Sequence, residues 1–315
     1  MSIKSSSLFF CMLLLFSSAI TSANNVHDRD GHHEEHDDDS DELDLEIDYF
    51  NIGSSRSDTG AAEMGSSGVR IETEREINNI TFSFNYERWK YSWDNPEYLP
   101  FMSGLKFDPW KTFNTFQFGI EYEHMIHDRW KIIYYAEAES SFEKETSNSN
   151  EYEIGADFIF ERFGKLTYML NVNWEYLDAE GSELGVDMEL EWNDHSERGW
   201  SIDFEISSEF PESSISYHFS NVFSAAIFYA EGGTNTIRLA NNSPVMDMQR
   251  GYMEDEYIGI GFRLTYEMND DNHLSFSAQQ NSEREISFVD SAGVTRRSYR
   301  FSDAYEIGIK FTYGF

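Results

Sequence analysis

Of 315 residues only one is a cysteine, Cys11, and it lies inside the single long apolar run near the N-terminus. No disulfide framework and no multi-thiolate metal site can be built from it. Positive charge is also scarce: 23 Lys and Arg face 58 Asp and Glu, a formal net charge of −35. A chain so acidic repels polyanions, which excludes a general nucleic-acid binder and disfavours adhesion to anionic lipid headgroups. Charged partners, if any, should be cations. Long apolar runs are missing as well, because nothing beyond the first segment approaches the roughly 20 apolar residues that a transmembrane helix needs. Mean hydropathy is negative. These absences exclude a helical membrane protein, but not a membrane β-barrel, in which only alternate residues meet lipid.

What is present begins with a leader. Lys4, the apolar run Leu8 to Ile20 and the small residues Thr21-Ser22-Ala23 make residues 1–23 a secretory signal peptide, with cleavage expected after Ala23. Cys11 departs with it, and so does Lys4, its only charged residue, taking the formal charge from −35 to −36. Residues 24–42 form an acidic, His-rich tail with almost nothing apolar to bury, so disorder is expected there. From Asn24 to Asp44 ten acids stand against Arg29. Two readings of the tail stay open: a solvated acidic brush, or weak binding of a divalent metal through His32, His33 and His36. A zinc-protease site is not one of them, because His33-Glu34-Glu35-His36 is one residue too short for that motif.

From Leu43 to Phe315 the chain is a succession of period-two segments broken by turns. Leu43 to Tyr49, Val69 to Thr73 and Ile80 to Trp93 read as the first three strands, with the Gly/Ser-rich stretch Gly53 to Gly68 as a loop. Later strands carry Phe116 to Tyr122, Trp130 to Ala138, Tyr152 to Phe160, Leu166 to Tyr176, Leu184 to Trp192 and Trp200 to Ile206. The run Ser213 to Ala230 is too long for one strand and is split at Ser220-Asn221. Ile258 to Met268, Leu274 to Phe288 and the C-terminal segment complete about 14 strands. The alternative count is 12, reached if neither the weak Val69 to Thr73 segment nor the short Ile215 segment is a strand of its own. Gly232 to Gly251 is the longest late loop.

The final eleven residues place Tyr305, Ile307, Ile309, Phe311, Tyr313 and Phe315 on one face and small or polar residues on the other. This ending resembles the C-terminal signal of bacterial outer-membrane β-barrels, with Phe311, Tyr313 and Phe315 as its aromatic positions. The resemblance implies an all-β, transmembrane, antiparallel up-and-down barrel over residues 43–315 in the cell outer membrane, surrounded by lipid and delivered by barrel-insertion machinery. It also puts the chain end in the periplasm, so that the short turns fall on that side and the long loops, among them Asn95 to Lys111, outside. Trp130, Trp192 and Trp200 then lie near the periplasmic ends of strands, and Trp89, Trp93, Trp110 and Trp174 near the outer ends. That distribution suits aromatic belts at both interfaces.

If the apolar positions face lipid, the alternate set faces the lumen. It carries Glu121, Glu123, Glu137, Glu139, Glu153, Asp157, Glu161, Glu175, Asp187, Glu189, Glu191, Asp203, Glu205, Glu267 and Glu306, opposed by Lys131, Arg263 and Lys310. An unpaired buried carboxylate costs several kcal/mol, so this interior should be wet, or some of its acids protonated. A water-filled, carboxylate-lined barrel draws in cations. The expected function is therefore a porin-like channel for small cationic or neutral solutes, without a cofactor. Two other classes stay open. One is a non-conducting structural or adhesive barrel that binds through its outer loops. The other is a membrane-embedded lipase or deacylase built on Ser216, His218 and Ser220, for which no third, orienting residue stands out, so an enzyme is not expected.

Overall fold

The computed structural model describes residues 43–58, 62–95, 111–142, 149–162, 165–177, 181–193, 199–206, 212–238, 252–269, 272–289 and 294–314. Segments 1–23 and 24–42, with His32, His33 and His36, lie outside the described residues, as do Trp110 and Phe315.

The period-two segments pair with their sequence neighbours, each strand antiparallel to the next. In chain order these are β1 (Leu43–Arg56), β2 (Glu63–Ile77), β3 (Ile80–Asp94), β4 (Thr112–His127), β5 (Trp130–Phe142), β6 (Ser149–Arg162), β7 (Leu166–Leu177) and β8 (Gly181–Asn193). They continue as β9 (Gly199–Ile206), β10 (Glu212–Ser220), β11 (Phe223–Arg238), β12 (Tyr252–Asn269), β13 (Asn272–Val289), β14 (Thr295–Arg300) and β15 (Ala304–Gly314). β15 pairs with β1, Asp44 opposite Gly314 and Tyr49 opposite Ile309, and this closes the barrel. β14 and β15 both pair with β13, along Glu285–Val289 and Asn272–Asn281 respectively. They are therefore two halves of one strand interrupted around Phe301–Asp303, and the barrel has 14 strands.

The turn Asn221–Val222 separates β10 from β11, which fixes the split and the even count. Two features of the sequence reading change. Gly53 to Gly68 is not a loop: β1 continues to Arg56 and β2 begins at Glu63, so the weak Val69 strand is the middle of a 15-residue one. Backbone pairing with β1 and β3 outweighs the poor strand propensity of its glycines and serines. The late loop from Gly232 likewise begins as strand, through Arg238.

Both chain ends of the barrel lie at one rim, here the terminal rim. The connections Asn78–Asn79, Asp128–Arg129 and Asn221–Val222 at that rim are two residues long. Asn78 has φ 58°, a left-handed conformation that asparagine tolerates in such tight hairpins. The opposite, loop rim carries the longer connections.

Alternation sorts every strand into two faces. Outward lie Ile47 and Tyr49, Phe82 and Phe84, Ile120 and Tyr122, Leu184 and Val186, Ile260 and Phe262, Ile307 and Ile309. Leu184, Ile227 and Tyr305 are 68%, 69% and 70% exposed, which no water-facing sheet would sustain ring-wide. The band ends sharply towards the loop rim, where the outward positions become Asn51, Ser67, Arg88, Asn114, Ser140, Ser182, Gln280 and Asp303.

Beyond that polar collar the two faces exchange character on β1–β4 and β13–β15. Outward positions are polar: Glu285 pairs with Arg300 at 3.0 Å, and Arg56 with Glu63 at 2.6 Å. Inward positions are mostly apolar and buried: Phe50, Ile52 (2% exposed), Met64 (0%), Tyr91, Trp93 (8%), Phe113, Ile286 (2%), Tyr299 and Phe301, with Ser55, Ser66 and Arg284 buried in the same segments. Phe50 packs on Trp89 at 4.3 Å across Gly68, whose missing Cβ leaves room for the phenyl ring. Tyr91 meets Phe113 edge-on at 5.8 Å. Each such side chain, fully buried, contributes about 1.5–3 kcal/mol. This part of the wall is built like a water-soluble β-protein, with its core inside the barrel mouth. It corrects the belt assignment of Trp89 and Trp93. Their odd parity on β3, opposite to Phe82, Phe84 and Tyr86, turns them inward, whereas Trp130, Trp174 and Trp200 do face outward.

Candidate lumenal site

The inward face between β4 and β9 carries carboxylates in cross-strand register. Glu137 is opposite Glu153, Glu153 opposite Glu175, and Glu175 opposite Glu183, a row of four glutamates across β5–β8. Nearer the terminal rim Glu189 faces Glu205 and Glu191 faces Asp203. Two unit charges about 5 Å apart repel by about 0.8 kcal/mol even in bulk water, and more where the dielectric is lower. Directly opposed like charges destabilise a sheet. The arrangement therefore costs stability, and no cation of the same wall offsets it in full.

A cavity of about 430 Å³ opens against this wall. Eight carboxylates line it: Glu121, Glu137, Glu153, Asp157, Glu175, Glu183, Asp187 and Glu205, joined by Tyr135, Met169, Asn171, Asn173 and Gly185. Among the described residues the lining has no lysine or arginine. Neutral donors hold part of it in place. The Tyr135 hydroxyl donates to Glu153 Oε1 at 2.6 Å, and Asn173 Nδ2 donates to the same oxygen at 2.6 Å. Asn171 Nδ2 lies 2.8 Å from Tyr135 Oη and 2.6 Å from Asp157 Oδ1. Gln117 Nε2 donates to Glu137. Tyr135 can lean across β6 because its neighbour there is Gly155, where a Cβ would sit 2.5 Å from the phenol ring.

Outside the cavity lining, four inward cations are paired with carboxylates. Lys131 Nζ is 2.9 Å from Glu123, Arg263 2.8 Å from Glu212, Lys310 2.7 Å from Glu46 and Arg70 3.5 Å from Glu87. Glu306 accepts from Gln279 and Asn281 at 2.9 and 3.0 Å.

Of the expected lumenal acids, Glu121, Glu137, Asp157, Glu175, Asp187 and Glu205 come together around the cavity. Glu189, Glu191 and Asp203 continue the same wall towards the terminal rim, Glu123 is held by Lys131, and Glu139 accepts a hydrogen bond from Ser141 at 3.1 Å. Sequence reasoning missed Glu183, placed in a loop, and the donors Tyr135, Asn171 and Asn173. Same-face spacing with Glu137 and Glu175 would have found the last three. It also left out the acids of β1–β3, such as Glu46, Glu72 and Glu87, although the same alternation exposes them. Phe311 and Tyr313 stack at 6.3 Å on the outward face of β15. His218 points inward and contacts Ser201 Oγ at 3.3 Å, on the neighbouring strand. Among the described residues no group of three His, Cys, Asp or Glu side chains is placed to hold a metal ion.

No family model matches the chain, and no curated protein does. Solved structures that resemble it include the KdgM porin, 11% identical over 84% of this chain and 98% of the porin, TM-score 0.35. The NanC porin is 12% identical over 85% and 98%, TM-score 0.37. A FadL homologue from Pseudomonas aeruginosa is 8% identical over 87% and 90%, TM-score 0.47.

Proposed function

We propose that the chain is an outer-membrane barrel forming a porin-like passage for small solutes, with preference for cations. The observation that carries this reading is the cavity lined by eight carboxylates and no basic side chain. In a wet lumen bounded by low-dielectric walls, fixed charges of one sign raise the local concentration of counter-ions and exclude co-ions. The apolar outward band supports placement in a bilayer, since it rings the barrel and ends at a polar collar. In this reading the terminal rim faces the periplasm, residues 1–23 serve as the export leader, and Phe311, Tyr313 and Phe315 form the insertion signal.

The test is conductance of the refolded barrel in planar bilayers under an asymmetric KCl gradient. The reversal potential is expected to lie on the potassium side of zero. A reversal at zero or on the chloride side would overturn cation preference. Complete absence of current would favour the second reading, a closed barrel acting through its loop-rim surface, for which the packed apolar core inside that rim is the supporting observation.

A further inference from the structure

We infer that the open path through this barrel is eccentric. It runs along the β5–β9 wall, while the β1–β4 and β13–β15 side of the mouth is filled, so that the carboxylates of β5–β9 meet a permeating ion. The inference rests on the channel reading for the ion itself, but the position of the path stands on packing.

Three observations converge. First, the inward positions on β1–β4 and β13–β15 beyond the polar collar are mostly apolar and closed to solvent, with Ile52, Met64 and Ile286 no more than 2% exposed and the polar Ser55, Ser66 and Arg284 buried with them. A hydrated ion cannot enter such a region, because stripping its water without a polar replacement costs several kcal/mol. Second, β6 and β11 are not neighbours in the sheet, yet they come within 8 Å, Cα to Cα. Opposite walls of an open 14-strand barrel stand much further apart, so the bore is divided. Third, the 430 Å³ cavity is lined only by residues from β4 to β9, that is, from Glu121 to Glu205.

Three of the inward cations belong to the other half, whereas Lys131, on β5, is held by Glu123. Arg70 and Lys310 are engaged by Glu87 and Glu46, and Arg263 by Glu212 while also lying 5.0 Å over the Phe228 ring, itself 3% exposed.

Single cysteines in a Cys11→Ser background test this, since the chain then has no other thiol. Asp187→Cys lies on the cavity wall, and Ser66→Cys lies on the inward face of β2, where Ser66 is 4% exposed. Folded barrels, checked by heat-modifiable electrophoretic migration, are treated with a trimethylammonium methanethiosulfonate, and labelling is read by mass. Asp187→Cys should label fully in the folded barrel, with a fall in current, and Ser66→Cys only after unfolding in urea. If either fails to fold, Asn173→Cys and Thr115→Cys take their places. Equal labelling of the two sites, or protection of the cavity site, would overturn the eccentric path. A barrel that labels as expected but carries no current overturns the channel reading and leaves the divided interior standing.

Discussion

Gly68 shows how much of this interior turns on single atoms. Phe50 lies over it to reach Trp89, and a Cβ on residue 68 would come within 2.1 Å of the phenyl ring. Phe50 is 6% exposed and has little room to retreat. Gly68→Ala should therefore destabilise the barrel by about 1–3 kcal/mol, the usual cost of overpacking a closed core. Gly53, further along β1, is the control. Its Cβ would meet only the Tyr305 carbonyl oxygen, at 3.4 Å, so Gly53→Ala should be neutral or gain a few tenths from a less flexible unfolded chain. Urea midpoints of the two variants, followed by tryptophan fluorescence, should move in different directions or by clearly different amounts. Equal midpoints would mean that the Phe50 ring is not locked in place.

At the scale of strands, the exchange of faces beyond the polar collar makes a prediction about which tryptophans touch lipid. Trp174 and Trp200, 42% and 54% exposed on the outward face, should be quenched by brominated phospholipid in single-tryptophan variants. Trp93, 8% exposed on the inward face, should not be. Quenching of Trp93 would place it in the lipid belt and dissolve the inner core. The same strands show what was legible in the sequence. Where one face is apolar for five or more alternate residues, as in β7 from Leu166 to Tyr176, period and pairing agree, and the strand, its neighbour and its lumenal set can be read directly. β1 and β2 between Gly53 and Gly68 could not be read, because their outward face there is polar and their inward face mixes Ala62 and Met64 with the buried Ser55, Ser57 and Ser66, so that no apolar alternation marks the strands. Glycine and serine in that stretch signal a loop only when partner strands are unknown. The acids of the lumen were legible one by one, whereas their alignment into the row Glu137, Glu153, Glu175 and Glu183 depends on register across β5–β8, which no single strand encodes.

For the whole molecule, the balance of charge and packing fixes how a current should depend on salt. The Debye length is about 10 Å at 0.1 M and about 3 Å at 1 M. A path bounded on one side by filled protein and on the other by aligned carboxylates keeps every ion close to fixed negative charge at low salt, so the lumen carries its own counter-ions whatever the bath contains. Conductance should then level off as KCl is diluted below 0.1 M rather than fall in proportion. The cation preference, strong at 0.1 M, should shrink towards 1 M as screening confines each carboxylate to its nearest neighbours. A central, wide and evenly lined bore predicts otherwise, with conductance tracking bath concentration throughout and weak selectivity at both ends of the range. Measured over that series, proportional conductance would remove both the carboxylate wall as the selecting element and the divided interior that brings ions against it.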